Sequence, residues 1–318
     1  MAEMTFCLYD LEENEIRGAE IASYEWSREE KAPCDSLMLR FFYDSILPEI
    51  NRVEAFIGTK KVFGGFCDTQ RESVTAEGNS AFIYARSSAA LLVDNEAVPT
   101  TYTNPSAHTL FLLNAGKLGF TCLLPQYSCK GDYIVKKGSS VYGAVNGFVS
   151  AFSGRNVAVN PQNALYLPEG GGLLTLEDSA VISEKRVINR GAVLSAIDFK
   201  AEGDSGYYHH RMSRCFDEKK IVRSGKVNLS SLPDWQQSAS LSGRLKAAAK
   251  AYQTIELTVA GSYSPELYDS IRYESRVDEN INTYRISAFT VICDGNGERT
   301  VMTLEKQIDL KEVTYVAE

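Results

Sequence analysis

The sequence predicts a mainly β protein with an α+β part. Two small antiparallel β-barrel domains flank an α+β domain, and a helix-containing insertion interrupts the second barrel. Three observations predict this fold class. Apolar and polar residues alternate in segments of residues 1–97 and again from Val187, as in strands with one buried face. Apolar residues recur at helical spacing over 141–152. The alternation stops over 203–251, a polar stretch that contains one helical pattern.

The first barrel is expected over residues 1–97, as several short strands at close spacing. Residues 53–57 alternate, a turn of glycine, threonine and lysine follows, and residues 62–66 run back. A third strand is expected over 81–86, and a single turn of helix ends at Asp94. This order predicts a small barrel with a strand–helix corner at its end.

The α+β domain is expected over residues 98–182. It begins with a proline-rich loop and an apolar helix, followed by a short strand over 133–135. The helix over 141–152 comes next, and Gly154 is placed to end it. Residues 157–167 have the pattern of a hairpin.

The second barrel is expected from two separated segments, 183–202 and 252–318, with the insertion 203–251 between them. Long insertions destabilise a domain little when their ends lie close together. The insertion should contain a helix with Trp235 and Leu241 on one face. Beyond it, Asp-Gly-Asn-Gly at 294–297 is a strong hairpin signal.

Composition excludes several classes of protein. A length of 318 residues suits two or three domains. The hydrophobic fraction of 44% and the charged fraction of 23% are those of a folded soluble protein. The net charge of −8 argues against a nucleic-acid binder and gives no reason to bind an anionic membrane. No apolar run approaches the ~18 residues of a membrane helix, and the first residues lack the pattern of a signal peptide.

The seven cysteines do not predict a metal site. Their number is odd, and no pair has the C-x-x-C spacing of zinc ligands. Scattered thiols with apolar neighbours are typical of small core residues in a reducing compartment. We therefore expect no metal and folding in the cytoplasm, and we expect no cofactor.

Four residues are predicted to form a structural corner at the end of the first barrel. Arg86 is expected to bond Asp94 or a carbonyl, although a functional cation is the alternative. Gly64 and Gly65 are expected to mark a bulge or a barrel bend, and a close approach to a ligand is the alternative.

A second candidate is the segment Tyr207, Tyr208, His209 and His210 in the polar insertion. Paired histidines are possible metal ligands, but the aromatic and basic neighbours favour an exposed contact loop. The three glycines at 170–172 lack the following Lys-Ser/Thr of a phosphate loop. No serine elbow, supported Cys/His pair or justified carboxylate pair is present, so we expect no catalytic residues and no enzyme.

The sequence contains several short motifs in a defined order. They are Val62-Phe63-Gly64-Gly65, Gly78, Tyr84-Ala85-Arg86-Ser87, Leu91-Leu92-Val93-Asp94, the Tyr133 to Ser139 segment with its Lys-Gly-Ser, Tyr284-Arg285-Ile286, Asp294 to Gly297, Thr300 and Leu304. Together they resemble the baseplate hub family of tailed phages and phage-like bacteriocin particles, related to the T4 and Mu hubs, in its short Gram-positive form. The resemblance covers most of the chain, but 203–251 matches only as an insertion with a helix.

The resemblance implies a structural hub. Members of that family form homotrimers in which two similar barrels per chain alternate around a ring, and this ring adapts a six-fold tail tube to a three-fold central spike. The implied partners are the tail tube or its initiator, the spike, the wedge proteins and the tape measure protein. DNA would only pass through the lumen. After assembly in the cytoplasm, the expected location is the tail baseplate of a virion or phage-like particle.

Other classes remain open at this point. The segment from Tyr133 to Phe152 resembles a LysM-type unit, so one alternative is a peptidoglycan-binding tail module. Another is a receptor-binding tail protein, although no fibrous repeat is visible. The residues do not distinguish a phage from a bacteriocin particle, or a contractile from a non-contractile tail.

Overall fold

The computed structural model describes residues 4–76, 78–217 and 219–316, apart from the side chain of Asp234. The first part of the chain is built of seven strands and one short helix. These are β1 (Met4–Asp10), β2 (Glu15–Ile16), β3 (Glu20–Glu29), β4 (Ser36–Tyr43), β5 (Ile50–Ile57), β6 (Lys60–Thr75), β7 (Gly78–Ser87) and α1 (Ala90–Asp94). The strands pair in the order β2-β1-β5-β6-β7-β4-β3, and every pairing in this part is antiparallel.

The α+β unit follows. Its elements are β8 (Thr100–Thr103), α2 (Ala107–Leu113), β9 (Thr121–Leu123), β10 (Asp132–Val135), α3 (Val141–Ser153), β11 (Ala158–Val159) and β12 (Ala164–Tyr166). Strands β8 and β10 form a ribbon, and β11, β12 and β9 form a three-stranded sheet. Ser140 caps α3 by accepting a hydrogen bond from the N–H of Gly143, and Gly154 ends the helix in the left-handed conformation. The buried side chains of this unit form a core of their own around Phe148.

The remaining elements belong to two different sheets. They are β13 (Leu173–Thr175), β14 (Val181–Ile188), β15 (Ala196–Lys200), β16 (His209–Ser213), β17 (Ser224–Asn228), α4 (Asp234–Lys250), β18 (Gln253–Ala260), β19 (Ser270–Arg272), β20 (Tyr284–Asp294), β21 (Gly297–Lys306) and β22 (Glu312–Val316). Strands β14, β18, β21 and β20 continue the sheet of the first part, and β19 and β13 are attached beside β20. The predicted hairpin turn lies between β20 and β21, where Asp294 is paired with Gly297.

The two strand-rich parts form one continuous sheet of thirteen strands because β3 pairs with β20. They also share one core, in which the rings of Trp26 and Phe289 meet edge to face with centroids 5.0 Å apart. The predicted fold class, mainly β with an α+β part, is confirmed. That each strand-rich part closes as a separate barrel stays a prediction.

Three segments pair with strands outside the domains to which they were assigned. Residues 196–200 and 312–316 were assigned to the second barrel, but as β15 and β22 they pair with β16 in a separate four-stranded sheet of order β17-β15-β16-β22. Residues 173–182 were assigned to the α+β domain, but β13 and the start of β14 join the main sheet. Alternation identifies a strand and its buried face, whereas it does not identify the neighbouring strand.

The helix of the insertion, α4, is present, but its apolar residues face two ways. Leu241 and Leu245 are buried in the core of the insertion, whereas Trp235 stacks on Phe152 of α3 with centroids 5.1 Å apart. The expectation that Trp235 and Leu241 share a face is therefore wrong. Each residue of an α-helix is rotated by about 100° from the one before it, so two side chains six positions apart point in clearly different directions. As a result, α4 connects the insertion to the α+β unit.

A buried polar group stabilises the second strand-rich part. The carboxylate of Asp278 accepts hydrogen bonds from Gln253 (2.9 Å), the Tyr284 hydroxyl (2.8 Å) and Lys306 (2.9 Å). Burial acts to raise the pKa of Asp278. The hydrogen bonds from the Asn280 N–H, Lys306 and Tyr284 outweigh it and lower that pKa from 3.8 to about 2.

This pKa predicts a pH dependence of stability. Because the folded pKa of Asp278 lies below the unfolded one, its contribution is complete above about pH 4 and is lost as the pH falls towards about 2. We expect Asp278→Asn to reduce the acid-induced loss of unfolding free energy over that range by about 1–2 kcal/mol. Urea unfolding at several pH values measures this difference. The control is Asp44→Asn, at an exposed loop position, and equal pH profiles for both variants would contradict the assignment.

Candidate assembly surfaces

Arg86 lies at the end of β7 and holds two carboxylates. Its guanidinium donates hydrogen bonds to Asp94 Oδ1 (3.0 Å) and Oδ2 (2.7 Å), and it donates to both oxygens of Asp68. These hydrogen bonds raise the pKa of Arg86 and lower the pKa of Asp94. The predicted contact between Arg86 and Asp94 is therefore present. The assigned role, a structural clasp rather than a functional cation, stays a prediction.

Asp68 was not predicted as a partner of Arg86, and a β-bulge explains its position. Cys67 pairs with Ala85 and Thr69 pairs with Tyr84, so Asp68 is an extra residue in β6. A bulge redirects the side chain of the extra residue, here towards the end of the neighbouring strand. The sequence around Asp68 contains no glycine that would mark this bulge.

Gly64 and Gly65 differ in how much room surrounds them. A Cβ atom at Gly65 would lie 2.0 Å from the backbone oxygen of Arg86. At Gly64 the nearest atom would be Cε of Lys61 at 2.8 Å, at the far end of a flexible side chain. Gly65 therefore permits the close approach of β6 to β7. The register shift between β6 and β7 lies at Asp68, and the shift between β5 and β6 lies at Val62, two residues before Gly64. That the two glycines mark a bulge or a barrel bend stays a prediction.

The predicted contact segment of the insertion divides into two parts. Tyr207 and Tyr208 are exposed, as expected of a contact loop. His209 and His210 instead begin β16, and their rings stack on Phe199 and Tyr315. Each histidine also contacts a carboxylate, His209 with Asp204 at 3.0 Å and His210 with Asp198 at 2.7 Å. The polar-loop assignment is wrong for the histidines because their aromatic rings pack within a sheet.

The outer edge of β14 is an exposed surface of the main sheet. β14 pairs with β18 on one side, and no strand in the described part of the chain pairs with its other side. Ile182, Val187 and Ile188 on this strand are exposed. A long edge with exposed apolar side chains is a template for pairing with another chain.

The LysM-like segment consists of β10, a turn and α3. The Tyr133 hydroxyl donates a hydrogen bond to the backbone oxygen of Ala144 at 2.8 Å, which connects the strand to the helix. Glycan binding by this segment stays a prediction.

The described residues contain no cluster of three or more histidine, cysteine, aspartate or glutamate side chains placed to hold a metal ion. Cys7, Cys34, Cys67, Cys122, Cys129 and Cys215 are thiols outside disulfide bonds. Among the helices of the described ranges, none has the length and apolar character needed to cross a membrane.

Solved structures of other proteins share this fold. No family model and no curated protein matches the chain. Solved structures do, among them the tail protein from Neisseria meningitidis MC58, with a TM-score of 0.74 at 14% identity over 96% of this chain and 97% of that one. The 43 kDa tail protein of prophage MuSo2 from Shewanella oneidensis also has a TM-score of 0.74 at 14% identity, over 95% and 98% of the chains.

A third similar structure comes from a secretion system. It is the E. coli c3393 protein, described as a component of the type VI secretion system with structural similarity to the T4 tail proteins gp27 and gp5. Its TM-score is 0.62 at 9% identity, over 99% of this chain and 79% of that chain. The chain thus shares one fold with these tail and secretion proteins across nearly its whole length.

The geometry at Gly65 predicts a sharp difference between adjacent glycines. Gly65→Ala should destabilise the protein by about 1–3 kcal/mol, because the new methyl group overlaps the backbone of β7. Gly64→Ala should cost less than about 1 kcal/mol, because Lys61 can move away. Unfolding in urea measures both free energies. Similar losses for the two variants would show that the close approach is not required.

The hydrogen bonds of Arg86 to Asp68 and Asp94 predict that Arg86 contributes more to stability than an arginine in an exposed ion pair does. Arg86→Ala should lower the unfolding free energy by about 1–2 kcal/mol, because two carboxylates lose a hydrogen-bonded partner. Arg17 is the matched control. It pairs with Glu15 but is 86% exposed, against 27% for Arg86, so Arg17→Ala should change the free energy by less than about 0.5 kcal/mol. A loss at Arg86 as small as that at Arg17 would remove the structural role.

Proposed function

We propose that this protein is the baseplate hub of a phage tail or phage-like particle, a structural component with no enzymatic activity. The observation that carries the proposal is the fold shared with two phage tail proteins over at least 95% of each chain. The likeness to a secretion-system protein compared with gp27 and gp5 supports the hub role within that class. The motifs that resemble the hub family provide a second line of support.

The layout of the main sheet supports assembly into a ring. The sheet runs from β14 at one end to β2 at the other, so each chain offers two different edges. Contacts between two different surfaces of identical chains generate closed rings when the rotation between neighbours closes. Three chains, each with two strand-rich parts, would form a homotrimer that matches a six-fold tube on one side and a three-fold spike on the other.

The proposed partners follow from that position. The tail tube or its initiator would lie on one side of the ring, the central spike on the other, and wedge proteins around it, with the tape measure protein and DNA in the lumen. The net charge of −8 fits a lumen through which DNA passes without binding, because like charges repel. The protein would assemble in the host cytoplasm and then reside in the tail baseplate.

The test locates and counts the protein in particles from the producing host. Gold-labelled antibodies against the chain should bind only at the distal end of the tail. Quantitative mass spectrometry should find three copies per tail. Labelling along the whole tail or on its fibres, or a copy number that matches the tube protein, would reject the hub assignment.

The same proposal predicts which edge closes the ring. In the purified protein, Ile182→Glu with Ile188→Glu should shift the mass measured by light scattering from trimer towards monomer, because charge on β14 disfavours pairing. The matched control is Ile46→Glu with Val222→Glu, at two exposed apolar residues outside the strands. Loss of the trimer in both variants would show that β14 has no special part in the contact.

A further inference from the structure

A cavity of about 470 Å³ lies where three units of the protein meet. The α+β unit contributes the end of α3 with Arg155, and the insertion contributes Lys246 and Lys250 from α4. The main sheet contributes Arg285 of β20 and Lys306 of β21. A volume of this order lies within the range of ligand-binding pockets.

The lining of this cavity is positively charged, whereas the chain as a whole is negatively charged. All five charged side chains just named are cationic, and Glu169 is the acidic residue among the described lining residues. The side chain of Glu169 is exposed. The chain as a whole has a net charge of −8, so this concentration of positive charge is a local feature.

Two of the five cations form ion pairs with carboxylates that do not line the cavity. Lys250 forms an ion pair with Glu30 at 2.5 Å, and Lys306 forms one with Asp278 at 2.9 Å. Only 9% of each of these carboxylate side chains is exposed. These two pairs complete the polar interior and leave little positive charge for a ligand.

The other three cations have no acidic partner within ion-pair distance in the described part of the chain. Arg155 donates to the backbone oxygens of Pro168 (2.9 Å) and Glu169 (2.6 Å) and lies over the ring of Tyr268. Arg285 also donates only to backbone oxygens among the described atoms. Both guanidinium groups are thus held in place with their charge uncompensated, and the exposed Lys246 adds a third charge.

We propose that this cavity binds an acidic peptide segment of a protein partner. The planar guanidinium of arginine matches a carboxylate with two parallel hydrogen bonds. Two carboxylate side chains of an extended peptide fit a cavity of this volume. Duplex DNA, in contrast, presents its phosphates on a stiff outer surface that cannot enter it. The inference does not depend on the hub assignment, because it concerns the purified chain and a peptide.

Binding would have a structural consequence, since the cavity wall comes from three units. A peptide that contacts Arg155, Lys246 and Arg285 at once would connect the α+β unit, the insertion and the main sheet. The partner would therefore hold the insertion in one orientation against the sheet.

The experiment measures binding of a fluorescent hexaglutamate peptide to the full chain by anisotropy at low salt. We expect saturable binding that Lys246→Glu with Arg285→Glu weakens about tenfold or more. The control, Lys117→Glu with Lys130→Glu, makes the same change in net charge at two exposed lysines outside the cavity and should weaken binding less than about twofold. Lys246→Glu alone, at an exposed helix position, should give an intermediate loss without affecting folding.

Three outcomes would overturn the proposal. The first is the absence of saturable binding. The second is an equal loss in the cavity variant and the control, which would indicate attraction to net charge alone. The third is tighter, cavity-dependent binding of a duplex oligonucleotide, which would assign the site to nucleic acid.

Discussion

The pairing of β3 with β20 is the contact on which the rest of the structure depends. It joins strands that are more than 250 residues apart in sequence, Trp26 opposite Val291 and Arg28 opposite Phe289. Side chains reinforce the pairing, because Ser27 and Thr290 are hydrogen bonded at 2.9 Å and the Tyr24 hydroxyl donates to Glu298 of β21. Without it, each strand-rich part would expose one face of a shared core.

A buried arginine extends this contact to the strand–helix corner. The guanidinium of Arg28 lies 5.7 Å from the ring centroid of Trp26 and donates to Asp35 at 2.7 Å. The backbone of Asp35 exchanges hydrogen bonds with Ser87, the residue after Arg86. Burial of this charge is tolerated because it is paired and hydrogen bonded. The join between the two parts and the corner are thus one connected structure.

Much of this architecture could be predicted because local patterns specify local structure. The alternation over 53–57, the hairpin at 294–297 and helix α3 with Gly154 at its end are all present. The contact between Arg86 and Asp94 was predictable because both residues lie at one corner, eight positions apart. The partnership of Asp68 was not, because a bulge depends on the register of two strands rather than on residue type.

The same reasoning explains the other differences. The strand at 196–200 was recognisable, but its partners lie in the segment assigned to the insertion, and periodicity does not identify a strand's partners. His209 and His210 were placed in a polar loop because alternation does not identify the strand that pairs with them, and Tyr315, on which His210 stacks, lies far away in sequence. The cationic cavity combines residues from α3, α4 and the main sheet, and each of them alone is an ordinary surface cation.

The position of β22 in the small sheet sets an order of events during synthesis. β16 pairs with β15 immediately, but its other edge waits for β22, about a hundred residues further along the chain. β3 likewise waits for β20. Pairings between distant segments form slowly, since a long loop must close first. Until β22 and β20 have been synthesised, β16 and β3 each have an edge that awaits its partner, and unpaired edges of this kind favour aggregation.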